Sequence, residues 1–177
     1  SVSAVASAPA IANAFAVGVS GVAAGTAGAV LTGSIDNSGN ITAVASAAGG
    51  TYTVVVGTET QVGALSNATA TGIYLESAGN TMTVTNSGAI NVDAITANGD
   101  LVTDPLSPGG VATANGILVT NNGTINGGAN LFTLNNSGDI IVRVSGDGGA
   151  TWARGMAIDV EAAPNAAVIN LLGGGNI

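Results

Sequence analysis

Apolar and polar residues alternate with a period of two through much of this chain. Met82, Val84, Ile90 and Val92 fall on one phase, and Thr81, Thr83, Thr85 and Asn91 fall on the other. Alternation of this kind predicts strands with one buried face. Phe132 and Leu134 repeat the phase of Met82 and Val84, Ile140, Val142 and Val144 extend it, and Met156, Ile158 and Val160 form a last alternating strand. Thr53-Val54-Val55-Val56 is a further strand candidate. Helical periodicity is weak, because β-branched residues and glycines oppose it. Only Ser1 to Ala16 has the alanine content of a helix.

One turn recurs between these strands. It reads apolar, any residue, Asn, Ser or Asn, Gly, any residue, Ile. The copies are centred on Asn37-Ser38-Gly39, Asn86-Ser87-Gly88, Asn121-Asn122-Gly123 and Asn136-Ser137-Gly138. Asn-Gly and Ser-Gly suit a turn in which glycine takes a positive φ. The asparagine lies in phase with the inward residues, so stacked copies are expected to form an amide ladder that satisfies polar groups at the bend. Hairpins of a β-sandwich are the competing architecture, but a turn at irregular multiples of a short unit fits stacked coils better. A degenerate copy is expected around Val168-Ile169-Asn170-Leu171.

A second motif, Ala-x-Gly followed by an apolar pair, lies beside the first. It appears weakly at Gly28, then at Ala70-Thr71-Gly72, Ala114-Asn115-Gly116 and Ala153-Arg154-Gly155. Gly28, Gly72 and Gly116 are 44 residues apart, and Gly155 follows 39 later. The turn asparagines are separated by 49, 35 and 15 residues. These intervals read as a short coil of 15 residues, with two or three coils in each longer interval. Eight to ten coils at about 4.8 Å each would make a rod of roughly 40–50 Å.

Composition narrows function by subtraction. The 177 residues suffice for one domain and carry ten acidic residues against two arginines, a net charge of -8. This balance disfavours nucleic acid and anionic lipid, both of which need a cationic surface. No segment has the sustained bulky apolar content of a membrane span, so neither nucleic-acid binding nor direct membrane insertion is expected. Without histidine, cysteine or lysine, the chain has no histidine base, thiolate or Schiff-base amine.

Oxygen ligands leave calcium as the one plausible ion. Asp100 and Asp104, in the Pro- and Gly-rich segment 98–110, are the best pair. EF-hand spacing is missing, and a solvated acidic loop is the default. Ser145 to Ala150 is a second loop, and insertions of this kind are where local function would reside. Asp159 and Glu161 share a strand face by parity, as the paired carboxylates of a glycosidase would, and both are expected to point to solvent. Sugar-stacking aromatics are scarce: Trp152, Tyr52 and Tyr74 are the polar-tipped ones. Trp152 and Arg154 are a candidate recognition patch, although such a tryptophan more often shields a flank. No catalytic, cofactor or metal residues are assigned, and the chain is expected not to be an enzyme.

The interleaved Asn-Ser-Gly-x-Ile and Ala-x-Gly-Ile-x-Leu motifs, from Gly28 to Val160, resemble the passenger repeats of bacterial autotransporters and related large surface adhesins. That resemblance implies an all-β fold, a right-handed parallel β-helix with irregular loop insertions, exported to the bacterial cell surface and serving adhesion, aggregation or a surface layer. The expectation is one solenoid domain over 1–177, with 1–27 as a cap or docking segment. It would belong to a longer protein or stack on copies of itself, end to end or laterally. The receptor would be a glycan or protein on a host or other cell. A carbohydrate-binding or carbohydrate-active β-helix is the alternative.

Overall fold

The computed structural model describes residues 1–8, 11–22, 30–49, 52–56, 59–63, 65–76, 79–97, 110–120, 131–146, 151–160 and 166–177. Its strands are β1 (Val2–Ala8), β2 (Ile11–Val22), β3 (Val30–Asn37), β4 (Asn40–Gly49), β5 (Tyr52–Val56), β6 (Glu59–Gly63) and β7 (Leu65–Glu76). They continue with β8 (Gly79–Asn86), β9 (Ala89–Ala97), β10 (Gly110–Thr120), β11 (Leu131–Asn136), β12 (Ile140–Ser145), β13 (Thr151–Val160) and β14 (Ala166–Leu171). Twelve of them form three four-stranded parallel sheets: β1-β4-β9-β12 (sheet A), β2-β7-β10-β13 (sheet B) and β3-β8-β11-β14 (sheet C). The chain visits A, B and C in turn four times, so the fold is a parallel β-helix.

A coil is therefore longer than the sequence intervals suggest. Ala14, Ala68, Ala112 and Ala153 stand in one column of sheet B at separations of 54, 44 and 41 residues. The 44-residue unit is one three-strand coil, not two or more. Four coils at about 4.8 Å rise make a stack of roughly 19 Å. Asn121 lies outside the described residues, between β10 and β11 of a single coil, so its 15-residue distance from Asn136 is not a coil.

The described residues of Ser1 to Ala16 are not helical. It enters β1 and β2, which pair in parallel with β4 and β7. Its alanines fill the inside of a coil: Ala12, Ala14 and Ala16 are buried. The Thr53–Val56 strand exists, but within the antiparallel β5–β6 hairpin rather than a coil wall.

The core is uneven. Sheet A contributes Ala43, Ala45 and Ala47 from β4, and sheet B contributes Ala68, Ala70, Ala112 and Ala114. Sheet C sets Met82 over Phe132 and Val84 over Leu134 in register, and further bulk comes from Ile90 and Val92 of sheet A and Ile73, Leu75, Ile117 and Val119 of sheet B. Small side chains at the facing alanine positions let sheets A and B approach closely.

Two glycine columns fix how the coils seat. In sheet B the inward phase switches at Gly116: Ala112 and Ala114 are buried before it, Ile117 and Val119 after it. A Cβ on Gly72 would lie 2.6 Å from the Gly116 carbonyl oxygen and 2.5 Å from Ile90 Cγ2. Gly18 makes the same approach to Gly72 and Ile41. Register aligns Gly18, Gly72, Gly116 and Ala157, so Gly155 belongs to the column of Ala114, two residues from its motif assignment. At the turn after sheet C, a Cβ on Gly88 would overlap the Gly39 carbonyl oxygen, and one on Gly138 would overlap that of Gly88. Positive φ among the described glycines is confined to Gly33, Gly173 and Gly174. Of the described Asn-Ser-Gly glycines, Gly88 and Gly138 are needed for close backbone approach, and none of the three takes a left-handed conformation.

Candidate binding face

The turn asparagines form a ladder through the stack. Asn37 Nδ2 donates to Asn86 Oδ1 at 2.6 Å, and Asn86 Nδ2 donates to Asn136 Oδ1 at 2.7 Å. Asn136 Nδ2 ends the run on the Gly138 carbonyl at 2.8 Å. Leu171 takes the next place in register, while Asn170 lies one residue earlier and donates to Asn135 Oδ1 at 2.8 Å. The ladder is structural: buried amides satisfy one another in a site closed to ligands.

The three corners of the coil differ. From sheet C to sheet A the chain crosses in a short turn: Ser38-Gly39 in the first coil, Ser87-Gly88 in the second and Ser137-Gly138-Asp139 in the third. Every long insertion lies at the other two corners. Segments 50–64, 98–109 and 146–150 join sheet A to sheet B, and segments 23–29, 121–130 and 161–165 join sheet B to sheet C. Both insertion-bearing corners thus flank sheet B. The β5–β6 hairpin belongs to the first of them.

The outer surface of sheet B carries an exposed ring and a set of neutral polar side chains. Phe15 is 63% exposed. Beside it, Asn67 Nδ2 donates to Asn13 Oδ1 at 2.9 Å on the same exposed face. Thr69, Thr113 and Arg154 continue the Phe15 column. Farther along the strands, the Tyr74 hydroxyl donates to Glu76, and Thr120 Oγ1 donates to the Tyr74 hydroxyl at 3.4 Å. A ring, neutral amides, hydroxyls and one guanidinium in rows along the stack suit contact with a polar, partly apolar partner.

The other proposed residues fall as follows. Asp100 and Asp104 lie outside the described residues, as do Glu161 and the Trp152 side chain. The backbone of Trp152 pairs with Val111 in sheet B. Asp159 is not open to solvent. It is 5% exposed and bonded to Arg154 Nη2 at 3.2 Å. Its register partners Leu118 and Tyr74 put it on the outer phase, as parity expects, and its cover there includes the Arg154 side chain. Among the described residues no group of three acidic side chains is placed to hold a metal ion, and no helix is long and apolar enough to cross a membrane. An open groove of about 760 Å³ borders β12 and holds Asp93 and Arg143, paired at 3.4 Å.

Phe15 and the Asn13–Asn67 pair escaped the sequence analysis. Their signal was available: a phenylalanine and an asparagine on the outward phase of an alanine-rich strand.

The geometry defines the class, a three-sheet parallel β-helix with insertions at two corners. The chain matches no protein-family model, no curated protein and no solved structure.

Proposed function

We propose that this chain is a structural and adhesive rod segment of the bacterial cell exterior, with sheet B as its contact face. The observation that carries this reading is the placement of every long insertion at the corners flanking sheet B. The remaining corner is a bare turn locked by the amide ladder. Selection for a scaffold explains the ladder and glycine columns, and selection for contact explains variable insertions beside one face. The acidic net charge keeps such a rod soluble and repels anionic polymers.

Binding of purified, fluorescently labelled protein to cells and to immobilised surface glycans tests the proposal. Saturable binding weakened severalfold by Phe15→Ser, with the circular dichroism spectrum unchanged, is the expected result. Binding indifferent to Phe15→Ser and to deletion of the β5–β6 hairpin would remove sheet B from the account.

One observation favours a second reading, a carbohydrate-binding or carbohydrate-active module. Phe15 offers an exposed ring next to the Asn13–Asn67 amides, and ring stacking with amide hydrogen bonds is how neutral sugars are held. A glycan array with a reducing-sugar assay separates the two. Release of reducing ends would make the protein an enzyme, whereas binding without turnover leaves it an adhesin.

A further inference from the structure

We infer that the outer face of sheet C binds the surface of ice crystals, a function that leaves sheet B free for the contacts proposed above.

The face is a grid of hydroxyls. β3, β8 and β11 pair residue for residue, so their outward side chains fall into rows along the strands and columns along the stack. Thr81, Thr83 and Thr85 of β8 make the central row. Ser34, Thr83 and Thr133 make the central column, one from each strand. Row and column cross at Thr83, and Thr32 beside Thr81 adds a sixth hydroxyl. Asp36 and Leu131 stand at opposite corners of the grid. The inward phase of the same strands is buried: Met82 and Val84 lie under the Thr81–Thr85 row.

The spacing suits a crystal. Neighbouring hydroxyls stand about 4.8 Å apart along a column and about 6.7 Å apart along a row. Both repeats lie close to distances between water oxygens on the prism faces of hexagonal ice. A soluble partner gains nothing from a two-dimensional repeat of small identical groups, whereas a lattice meets it at every point.

The hydroxyls are also unclaimed. Among the described residues none of the six is engaged by another protein group. Outward polar groups on the other sheets pair with one another, as Asn13 does with Asn67 and Arg143 with Asp93. Each threonine thus offers water one donor and two lone pairs. Its methyl group restrains the neighbouring water without competing for those bonds.

The backing is rigid. Parallel sheets twist unless a side-chain ladder or stacking opposes it. Asn37, Asn86 and Asn136 are the last residues of these same three strands, and their amide ladder ties coil to coil beneath the edge of the grid. Little ordering therefore remains to be done on contact with a solid surface. Crystalline polysaccharides are gripped through aromatic platforms, and no outward position of β8 or β11 carries a ring. The grid covers roughly 10 by 13 Å. A patch of that size predicts crystal shaping and inhibition of recrystallisation, with only slight freezing-point hysteresis.

Microscopy of single ice crystals growing in solutions of the purified chain, with recrystallisation assays in frozen films, tests this. The wild-type chain is expected to facet the crystals and to keep grains small. Thr83→Tyr sets a ring at the crossing of row and column and is expected to lose both effects, with an unchanged circular dichroism spectrum. Thr133→Tyr, one coil away, is expected to do the same and serves if the first variant does not fold. Ser46→Tyr, on the outward phase of β4 in sheet A, is expected to keep both effects. Round, unfaceted crystals at every wild-type concentration would overturn the inference. So would full activity in the folded threonine variants, or equal loss in Ser46→Tyr. Cell binding is read in a separate assay through Phe15, so either proposal can fail while the other stands.

Discussion

The Asn86 side chain donates to Asn136 Oδ1 at 2.7 Å across a sequence separation of 50 residues. Asn86 is fully buried and also accepts from Asn37, so it is the central rung of the ladder. Replacing it by alanine strands the Asn37 donor and the Asn136 acceptor in a site with little water. At about 1–3 kcal/mol for each unsatisfied buried group, Asn86→Ala is expected to cost roughly 2–4 kcal/mol. Urea unfolding checks this through a lowered midpoint at an unchanged m-value. Asn135→Ala, on the outer face, is expected to change stability by less than about 1 kcal/mol.

Gly116 and Gly155 occupy the same place in their sequence motifs but different places in the fold. A Cβ on Gly116 would collide with the Ala157 carbonyl oxygen and Ile140 Cγ2, whereas one on Gly155 would approach Val142 Cγ1 to 3.3 Å. Backbone cannot yield as a flexible side chain can. Gly116→Ala is therefore expected to destabilise the protein by several kcal/mol, about 3 or more, and Gly155→Ala by about 1 or less. Thermal melting of the two variants side by side distinguishes the aligned column from the sequence motif.

The contrast shows what the sequence makes legible. Strand phase was readable wherever a bulky apolar residue alternated with threonine, as in Met82, Val84 and Ile90. Phe132 and Leu134 stand opposite Met82 and Val84, as their phase predicts. The inward asparagine of the turn was readable for the same reason. The number of strands per coil was not, since a 44-residue interval is satisfied by one large coil or several small ones. Nor was the phase switch at Gly116, because Ala153-Arg154-Gly155 and Gly155-Met156-Ala157 fit a small-residue motif equally well. Only the collision of a Cβ with a carbonyl one coil away separates them. The contact face was half visible: its insertions stand out by composition, but their convergence on sheet B follows from the order of the sheets.

Two ion pairs should behave unequally. Arg143 and Asp93 meet at 3.4 Å with side chains 60% and 27% exposed, so Arg143→Gln is expected to cost about 0–1 kcal/mol. Arg154 reaches Asp159, whose side chain is only 7% exposed. Arg154→Gln leaves a carboxylate with little water and no cation. The solvent around Arg154, 58% exposed, tempers the loss, for which roughly 1–3 kcal/mol is expected. Unfolding at low and high salt checks the difference: the Arg143 effect should fade with ionic strength, and most of the Arg154 effect should persist.

The alanine columns make a size-specific prediction. Ala45 is wholly buried in sheet A, a sheet that packs against the equally small inward residues of sheet B. Added methylenes crowd close-packed neighbours and push the two sheets apart. Ala45→Leu is accordingly expected to cost about 3 kcal/mol, despite the greater hydrophobicity of leucine. Met82 lies in the sheet C column with Gly33 and Phe132, where side-chain size already varies from coil to coil. Met82→Leu conserves volume there and is expected to cost less than about 1.5 kcal/mol. Equal effects in chemical denaturation would mean that the coil interior is evenly packed, and that the close approach of sheets A and B does not set its dimensions.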